Sequence, residues 1–263
     1  MAESNNAVES DEITQSDIPA LLNTARRDRI YVTKDAYSFA FGSDVAAVFD
    51  DMISRSVPCY LDLQLLVASS ASRFFQPGTA IYDLGCSTGT SLALIAKRLP
   101  KVFDIYGIDN SKPMLLQAEK KLSDLKVLGQ VILKRERLQD VEFRPASFIT
   151  ANYTFQFLPE VDREPMFEKV YSALVPGGAF ILSEKTQPDV SAEHLELVKE
   201  LHEDFKSQNG YSLSEVARKR ESLRGVMRPI GERENISQLQ NAGFQTIIPM
   251  IRGYSFISWL CIK

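Results

Sequence analysis

Two glycines and an acid stand at spacings that suit a nucleoside ligand. Residues 80–84 form a short run of strand-forming residues that ends at Gly85, and helical periodicity begins at Thr88, just before Gly89. A strand that leads through a glycine turn into a helix N-terminus is how doubly wound folds hold nucleotide-like ligands. Asp109 follows a second predicted strand about 20 residues beyond Gly89, which is the spacing of an acid that binds a ribose diol.

The glycine pattern itself narrows the ligand class. It reads G-x-x-x-G, which is not the dinucleotide motif and lacks the Lys-Ser/Thr pair of a triphosphate-binding loop. A ribose-binding acid with few groups for phosphate suits S-adenosylmethionine, which carries adenosine and a sulfonium but no phosphate. The alternative is an ordinary α/β turn that binds no ligand, since short glycine motifs occur in many folds.

Two polar side chains have positions that suit the same site. Asn152 follows a predicted strand, and the carboxyl ends of parallel strands meet at one edge of a sheet, so Asn152 is expected beside Gly85 and Asp109. Tyr60 stands at the start of a predicted helix. Its phenol either reaches the ligand or is a core aromatic with a satisfied hydroxyl, and the sequence leaves both interpretations open.

Arg220 falls on the apolar stripe of another predicted helix, which Leu213, Val216, Leu223 and Met227 form. An arginine turned toward a core is costly unless it meets an anion, and its planar group suits two-point contact with a carboxylate. The alternatives are a pair with an internal acid, or a side chain whose charged end extends into solvent.

The elements that would position these residues alternate strand and helix, as a parallel sheet requires. The predicted strands are 81–84, 103–108, 130–135, 147–151 and 179–183, and the predicted helices between them are 88–99, 112–125 and 162–174. A helix near 234–241 and an antiparallel pair, 244–251 and 254–262 with a turn at 252–253, complete the chain. The sequence therefore predicts an α/β fold with a seven-stranded, Rossmann-like sheet and helices on both faces, the usual architecture of S-adenosylmethionine-dependent methyltransferases.

Three segments lie outside this predicted core. Residues 1–25 are acidic and polar, which indicates a disordered tail. Residues 26–263 then form a single domain, in which the helices of residues 44–75 precede the first strand and are placed to cover the ligand as a lid. Residues 187–228 are a helical insertion, whose second helix opens with a capping box at 212–215.

Composition excludes several classes of function. The chain has 263 residues and a net charge of -4 without long basic runs, which disfavours direct binding of nucleic acid. It has no apolar run of membrane-spanning length and no secretory signal pattern. The three widely separated cysteines fit a reduced cytoplasmic protein, and His194 and His202 are assigned to a solvated helix face rather than to a metal site.

Six segments of the chain resemble those of the carboxy-S-adenosyl-L-methionine synthases. They are FDDMISRSVPCY (49–60), QPGTAIYDLGCSTG (76–89), IDNSKPM (108–114), NYTFQFL (152–158), VPGGAFILSEK (175–185) and DFKSQNGYSLSEVARKR (204–220). The similarity runs from about Phe49 to the C-terminal region. The first and last segments are the most diagnostic, because any methyltransferase of this fold can share the glycine loop.

The resemblance implies an enzyme, a cytoplasmic homodimer, that takes prephenate and S-adenosyl-L-methionine as substrates. Prephenate loses carbon dioxide as it aromatises to phenylpyruvate, and the carboxyl group is placed on the sulfonium methyl carbon. A separate enzyme then uses the product, carboxy-S-adenosyl-L-methionine, to make 5-oxyacetyl uridine at the tRNA wobble position. The alternatives are an S-adenosylmethionine-dependent small-molecule methyltransferase and a non-catalytic binding protein on the same fold.

The resemblance also assigns site residues. Around the S-adenosyl ligand it places Tyr60, Gly85, Cys86, Ser87, Asp109, Asn110, Leu138 and Asn152. It places Arg220 on the added carboxylate, as the catalytic residue. It implies no general base, since neither histidine is expected near the ligand.

The chain departs from the family after the third strand. There the family has an acidic residue followed by an apolar one, both in contact with adenine, and this chain has Arg137 and Leu138. Leu138 can still offer its backbone N–H to the ring, whereas the carboxylate acceptor for the amino group is lost. A small shift of the alignment would supply Glu136 or Asp140 instead.

Overall fold

A seven-stranded sheet forms the centre of the fold. The computed structural model describes residues 26–33, 38–99, 102 and 104–263, so the predicted tail lies outside the described residues. The strands are β1 (Ala80–Leu84), β2 (Ile105–Asp109), β3 (Val131–Arg135), β4 (Ala146–Asn152), β5 (Leu174–Lys185), β6 (Thr246–Gly253) and β7 (Phe256–Ile262). Their order is β3-β2-β1-β4-β5-β7-β6, with β7 antiparallel to both neighbours and the other pairs parallel. The predicted fold class is confirmed.

Helices precede the sheet, connect its strands and form the insertion. Before the sheet lie α1 (Ile30–Thr33), α2 (Ser43–Ala46), α3 (Phe49–Ser56) and α4 (Tyr60–Phe74), and between the strands lie α5 (Thr90–Arg98), α6 (Lys112–Asp124) and α7 (Glu160–Ala173). The insertion contributes α8 (Ala192–Gln208) and α9 (Leu213–Ser222), and α10 (Glu232–Asn241) leads to β6. Short 3-10 turns occur at Leu128–Gln130, Leu138–Asp140 and Phe155–Phe157. The capping box expected at the start of α9 is present between Ser212 and Glu215.

Alternate side chains of β1 enter the two cores of the molecule, as the two-residue period of a strand requires. Tyr82 and Leu84 belong to a core under α7 and α10, whereas Ile81 belongs to a core under α4 and α5. Both faces of the sheet are therefore covered by helices, and its functional groups can reach solvent only at the strand ends. No helix in the described part of the chain has the length and hydropathy needed to span a membrane.

Two predicted elements differ from the structure. The helices expected within residues 44–75 include a break at Val48, whose φ of -127° and ψ of 7° separate α2 from α3. The fifth strand is longer than predicted because it continues through the Pro-Gly-Gly turn signal at 176–178. There Gly177 donates its N–H to Lys263, and Lys263 donates to Gly178, so the C-terminal strand holds this segment extended.

Smaller differences occur at strand ends. The predicted start of the second strand at Phe103 lies outside the described residues, and the structure begins β2 at Ile105. The final hairpin turns at Tyr254 and Ser255 rather than at 252–253, since β6 continues to Gly253.

A buried ion pair fastens β5 to α7 and α10. Arg163 Nη1 lies 3.0 Å from Glu184 Oε2, and the side chains are only 1% and 0% exposed. Arg163 also donates to Asn235 Oδ1 at 2.7 Å, while Glu184 accepts the backbone N–H of Gln156 at 3.0 Å. Burial raises the pKa of Glu184 to about 7, against the opposing effect of the Arg163 charge. Neither charge can therefore be removed alone without leaving the other unpaired.

We expect Arg163→Met to destabilise the fold by about 3–5 kcal/mol, because it leaves the buried carboxyl group of Glu184 without its partner. Urea denaturation followed by circular dichroism measures this loss. The control is Arg144→Met, since Arg144 pairs with Asp104 in solvent, and this variant should unfold close to the unaltered protein. Equal midpoints for the two variants would contradict the structural importance of the Arg163–Glu184 pair.

Candidate functional site

A cavity of about 810 Å³ opens at the carboxyl ends of β1, β2 and β4, between the lid helices and the insertion. Its lining includes the predicted site residues Tyr60, Gly85, Cys86, Ser87, Asp109, Asn110, Leu138, Asn152 and Arg220. The expected convergence of Gly85, Asp109 and Asn152 at one edge of the sheet is confirmed. The contacts of these residues with a ligand remain predictions.

The glycine loop needs its glycines for two different reasons. Gly85 has φ +79°, and a Cβ at this position would collide with the side chain of Thr154. Gly89 also has φ +79°, and a Cβ there would come within 3.1 Å of Ala118 Cβ on α6. The N–H groups of Gly85 and Cys86 both donate to the carbonyl oxygen of Ile108, at 2.8 and 3.0 Å. The turn is thereby fixed against the end of β2.

Asp109 joins the two loops that face the cavity. Its Oδ2 accepts the N–H of Ser87 at 2.9 Å, and its Oδ1 accepts the N–H of Ser111 at 2.8 Å. Burial raises the pKa of Asp109, although these two hydrogen bonds oppose the shift. Each carboxylate oxygen has further accepting capacity, which is what a pair of ribose hydroxyls needs.

A second buried acid, which was not predicted from the sequence, lies beside Asp109. Asp83, in β1, is 2% exposed and lines the cavity. Burial, together with the charge of Asp109, raises the pKa of Asp83 to about 7. Burial also raises the pKa of the Cys86 thiol well above its usual value, so this cysteine stays neutral. The strand position of Asp83, just before the glycine loop, was the available signal.

A buried network ties the lid to the glycine loop. Lys121 Nζ, on α6, lies 2.7 Å from Asp50 Oδ2 on the lid helix α3, and both side chains are 4% exposed. Lys121 also donates to Thr90 Oγ1 at 2.7 Å, and Thr88 donates to Asp50. Burial lowers the pKa of Lys121, and the Asp50 carboxylate opposes that shift. The start of α5 is therefore held between α3 and α6.

Tyr60 and Asn152 are both fixed by their surroundings. Tyr60 is buried, and burial raises its pKa well above the usual value, so its hydroxyl is neutral. Asn152 Oδ1 accepts a hydrogen bond from the Ser183 hydroxyl at 3.0 Å. Its amide nitrogen lies 3.5 Å from Ser91 Oγ. Tyr60 is thus a buried aromatic that also lines the cavity, and contact of its phenol with a ligand stays a prediction.

The predicted apolar stripe of α9 is only partly correct. Val216 is buried, but Leu213 is 70% exposed because it opens the helix at the surface. The Arg220 side chain is 59% exposed and donates from Nη1 to Glu203 Oε1 at 2.7 Å. Arg220 therefore lines the mouth of the cavity paired with an acid of the protein, which was one of the open alternatives, rather than lying turned into the core.

The region expected to face adenine keeps an acidic residue, Glu136, next to Arg137, where this chain differs from the family. Leu138 is 7% exposed and lines the cavity together with Arg137 and Glu136. Glu136 donates its backbone N–H to the Asp109 carbonyl oxygen at 3.1 Å. Of the two acids that a shifted alignment offers, Glu136 lies in the lining and Asp140 does not.

The assignment of His202 to a solvated face is wrong. His202 is 5% exposed, lines the cavity, and lies with a ring nitrogen 2.8 Å from the Ser56 carbonyl oxygen. Burial and the nearby Lys206 lower its pKa to about 3, so the ring is neutral. The charged sequence around it hid the fact that one face of α8 covers the cavity. The described residues hold no cluster of three or more His, Cys, Asp or Glu suited to a metal ion.

Two phenylalanines after β4 lie in different surroundings. Phe155 is fully buried in the core. Phe157 instead lines the cavity, with its ring edge-to-face against Phe41 at 5.1 Å between centroids. The three-residue turn between β4 and α7 places these two rings on different sides.

Comparison with known proteins gives the family. Residues 81–178 match the model of the methyltransferase domain. The chain is 37% identical over 236 residues to the carboxy-S-adenosyl-L-methionine synthase of Sulfurimonas denitrificans, which covers 90% of this chain and 99% of that protein. The synthase of Haemophilus ducreyi is 38% identical over 240 residues, covering 90% and 98%. This chain belongs to the carboxy-S-adenosyl-L-methionine synthase family. It is accordingly a transferase, and S-adenosyl-L-methionine is its cofactor.

Solved structures confirm the fold at much lower identity. A putative S-adenosyl-L-methionine-dependent methyltransferase of Methanococcus maripaludis has a TM-score of 0.58 at 17% identity, covering 88% of this chain and 97% of that one. A geranyl diphosphate methyltransferase in complex with GPP and sinefungin has a TM-score of 0.53 at 14% identity, covering 94% and 97%. The seven-stranded sheet is thus that of the methyltransferases.

We expect Asp83→Asn to change how stability depends on pH. The pKa of Asp83 is about 7 in the folded protein, so folding favours its protonated form, and its stabilisation present near pH 4 is lost as pH rises toward 7. The variant lacks this loss. The free energy of unfolding of the variant should therefore rise, relative to that of the unaltered protein, from about pH 5 to about pH 8. Urea denaturation at these two pH values measures the difference. Asp124→Asn, at an exposed helix end, is the control for the change of residue type. A constant difference for Asp83→Asn would refute the assignment.

Proposed function

We propose that this protein converts S-adenosyl-L-methionine and prephenate to carboxy-S-adenosyl-L-methionine and phenylpyruvate. The observation that carries the proposal is a single cavity, in a member of this family, with a ribose-type acid at one end and an arginine at the other. The carboxyl group lost from prephenate forms a carbon–carbon bond to the sulfonium methyl carbon. The proton displaced from that methyl group and the hydroxide lost from the prephenate ring leave as water.

The residues of the chain fit the S-adenosyl group at three points. The Asp109 oxygens, held by the N–H groups of Ser87 and Ser111, would accept the two ribose hydroxyls. The backbone of Leu138 and the acid of Glu136 line the position proposed for adenine. The glycine loop lets backbone approach the ligand closely. The ligand supplies the sulfonium methyl carbon, and the enzyme contributes mainly position and exclusion of water.

Arg220 is proposed to bind the carboxylate added to the product. Its exposed guanidinium lies at the cavity and is held by the Glu203 carboxylate. A carboxylate of the ligand can replace Glu203, which is bound through Nη1 of Arg220, because a planar guanidinium can bind a carboxylate at two points. An ordinary methyl donor brings no negative charge to this position, so this contact would distinguish the carboxylated product.

The wider setting is also a proposal. We infer a cytoplasmic homodimer that passes its product to a separate tRNA-modifying enzyme acting on the wobble uridine. The net charge of -4 supports a role without direct RNA binding. Prephenate as second substrate is supported by the membership of the family and by the cationic groups at the cavity.

The experiment is incubation of the purified protein with S-adenosyl-L-methionine and prephenate, followed by mass spectrometry of the small molecules. We expect a product one carboxyl group heavier than S-adenosyl-L-methionine, together with phenylpyruvate. Absence of both products would contradict the proposal. Methylation of an added small acceptor without carboxylation would instead favour the small-molecule methyltransferase.

We expect Arg220→Met to weaken binding of carboxy-S-adenosyl-L-methionine by about tenfold or more, because one charged hydrogen-bonded contact is lost. Binding of S-adenosylhomocysteine, which has no added carboxylate, should change far less. Isothermal titration of both ligands measures the ratio. Arg233→Met removes an exposed arginine paired with Asp189 and is the control. Equal losses for both ligands in Arg220→Met would refute the carboxylate contact.

We expect Asp109→Asn to weaken the binding of S-adenosylhomocysteine by about tenfold or more, because the amide of asparagine places an N–H donor where the N–H of Ser87 or Ser111 already donates. The change acts on the ribose contact and on the loop together. Asp104→Asn, at the exposed start of β2, is the matched control and should bind normally. Undiminished binding in Asp109→Asn would show that the ribose lies elsewhere.

A further inference from the structure

The wall of the cavity formed by the insertion is strongly cationic. Lys199, His202, Glu203 and Lys206 follow one another at helical spacing, so a single face of α8 lines the cavity. Lys185 at the end of β5 enters the same wall, and α9 contributes Lys219 beside Arg220. Three separate elements therefore bring positive charge to one place.

Acids of the protein balance these charges only in part: Glu203 lies near Lys185 and Lys206, and Asp28 and Asp51 lie near Lys219. Glu203 is engaged by Arg220 at 2.7 Å, and Lys199 pairs with Glu196 at 2.9 Å. Lys219 Nζ donates to the neutral hydroxyl of Ser56 at 2.9 Å. For Lys185 and Lys206, the ion pairs formed among the described residues include no carboxylate partner.

The unpaired cations disfavour one another. Burial, followed by the charges of Lys185 and Lys219, lowers the pKa of Lys206 to about 7. Burial also lowers the pKa of Lys185 and that of Lys219, the latter to about 8. Cations kept partly out of water without a paired counter-ion destabilise the folded protein. Binding of an anion would remove that cost.

We propose that Lys185 and Lys206, supported by Lys219, form an anion-binding subsite that holds a carboxylate of the second substrate, separate from the contact of Arg220 with the product. The inference rests on the proposed function, because that function requires a substrate with two carboxylates. It adds which residues bind that substrate and which carboxylate they bind.

The chemistry decides which carboxylate lies here. Prephenate keeps the carboxylate of its pyruvoyl chain and loses the ring carboxylate as carbon dioxide. A lysine paired with the departing carboxylate would stabilise the negative charge of the ground state and raise the barrier, since only interactions that strengthen in the transition state accelerate a step. The lysines are therefore assigned to the carboxylate that is retained.

The test is Lys206→Met, which keeps most of the length of the side chain and removes its charge. We expect KM for prephenate to rise by about tenfold or more, with a smaller change in kcat, because ground-state and transition-state binding are lost alike. Affinity for S-adenosylhomocysteine should stay within about twofold. The melting temperature should stay the same or rise, since the folded protein disfavours this charge. Lys185→Met should behave similarly, and Lys120→Met, on the exposed face of α6, is the control for charge.

Several outcomes would overturn the subsite. If Lys206→Met and Lys185→Met leave KM for prephenate unchanged while the unaltered protein makes both products, the subsite is wrong and the proposed function stands. If both variants weaken the binding of S-adenosylhomocysteine as much as the binding of prephenate, the lysines bind the amino-acid carboxylate of the S-adenosyl ligand. A lowered melting temperature with a parallel loss of every ligand would assign the lysines to structure alone.

A failure of the proposed function is distinguishable from a failure of the subsite. If the unaltered protein makes no carboxylated product, calorimetric titration of the S-adenosylhomocysteine-loaded protein with prephenate still tests the lysines. Binding that Lys206→Met abolishes and Lys120→Met retains would support the subsite without the reaction. If prephenate does not bind to the unaltered protein, both the subsite and the proposed function are wrong.

Discussion

The buried pair of Lys121 and Asp50 is the interaction on which the ligand end of the cavity depends. It brings together α3, the first turn of α5 and the last turn of α6, with Thr88 and Thr90 completing its hydrogen bonds. Two charges at this depth are tolerated only with mutual pairing and full hydrogen bonding. The glycine loop between β1 and α5 can therefore not shift without disturbing α3, and α3 cannot move away without leaving Lys121 and Asp50 unpaired.

The cavity has opposite electrostatic character at its two ends. Near the glycine loop lie the acids Asp83 and Asp109, of which Asp83 carries a pKa near neutrality because it is buried beside the other. On the side of the insertion lie Lys185, Lys206 and Lys219. A ligand with hydroxyls and a positive sulfur at one end, and carboxylates at the other, matches this polarity in one orientation only.

Those parts of the site that local sequence determines were predictable. Asp109 and Asn152 follow strands whose carboxyl ends meet at one edge, so their convergence follows from the parallel sheet alone. The full length of β5 was not predictable from its own residues, because its Pro-Gly-Gly segment is held extended by Lys263. His202 and Lys206 were missed for a similar reason, since a charged helix shows which of its faces is covered only when the covering elements are in place. The predicted apolar stripe of α9 was wrong at Leu213, because the apolar periodicity of the sequence continues into the first turn of the helix, which is exposed.

The contacts that hold the insertion have a consequence for the order of folding. Tyr31 Oη lies 2.9 Å from Ser222 Oγ, and Tyr211 donates to Asp28, so these bonds close loops of 191 and 183 residues. The glycine loop and the ends of β1, β2 and β4 instead come from one stretch of some seventy residues, 80–152. Contacts of long sequence separation are slow to form, and a chain leaving the ribosome completes its N-terminal parts first. We expect the nucleoside half of the cavity to assemble early in synthesis and the cationic half to mature after it.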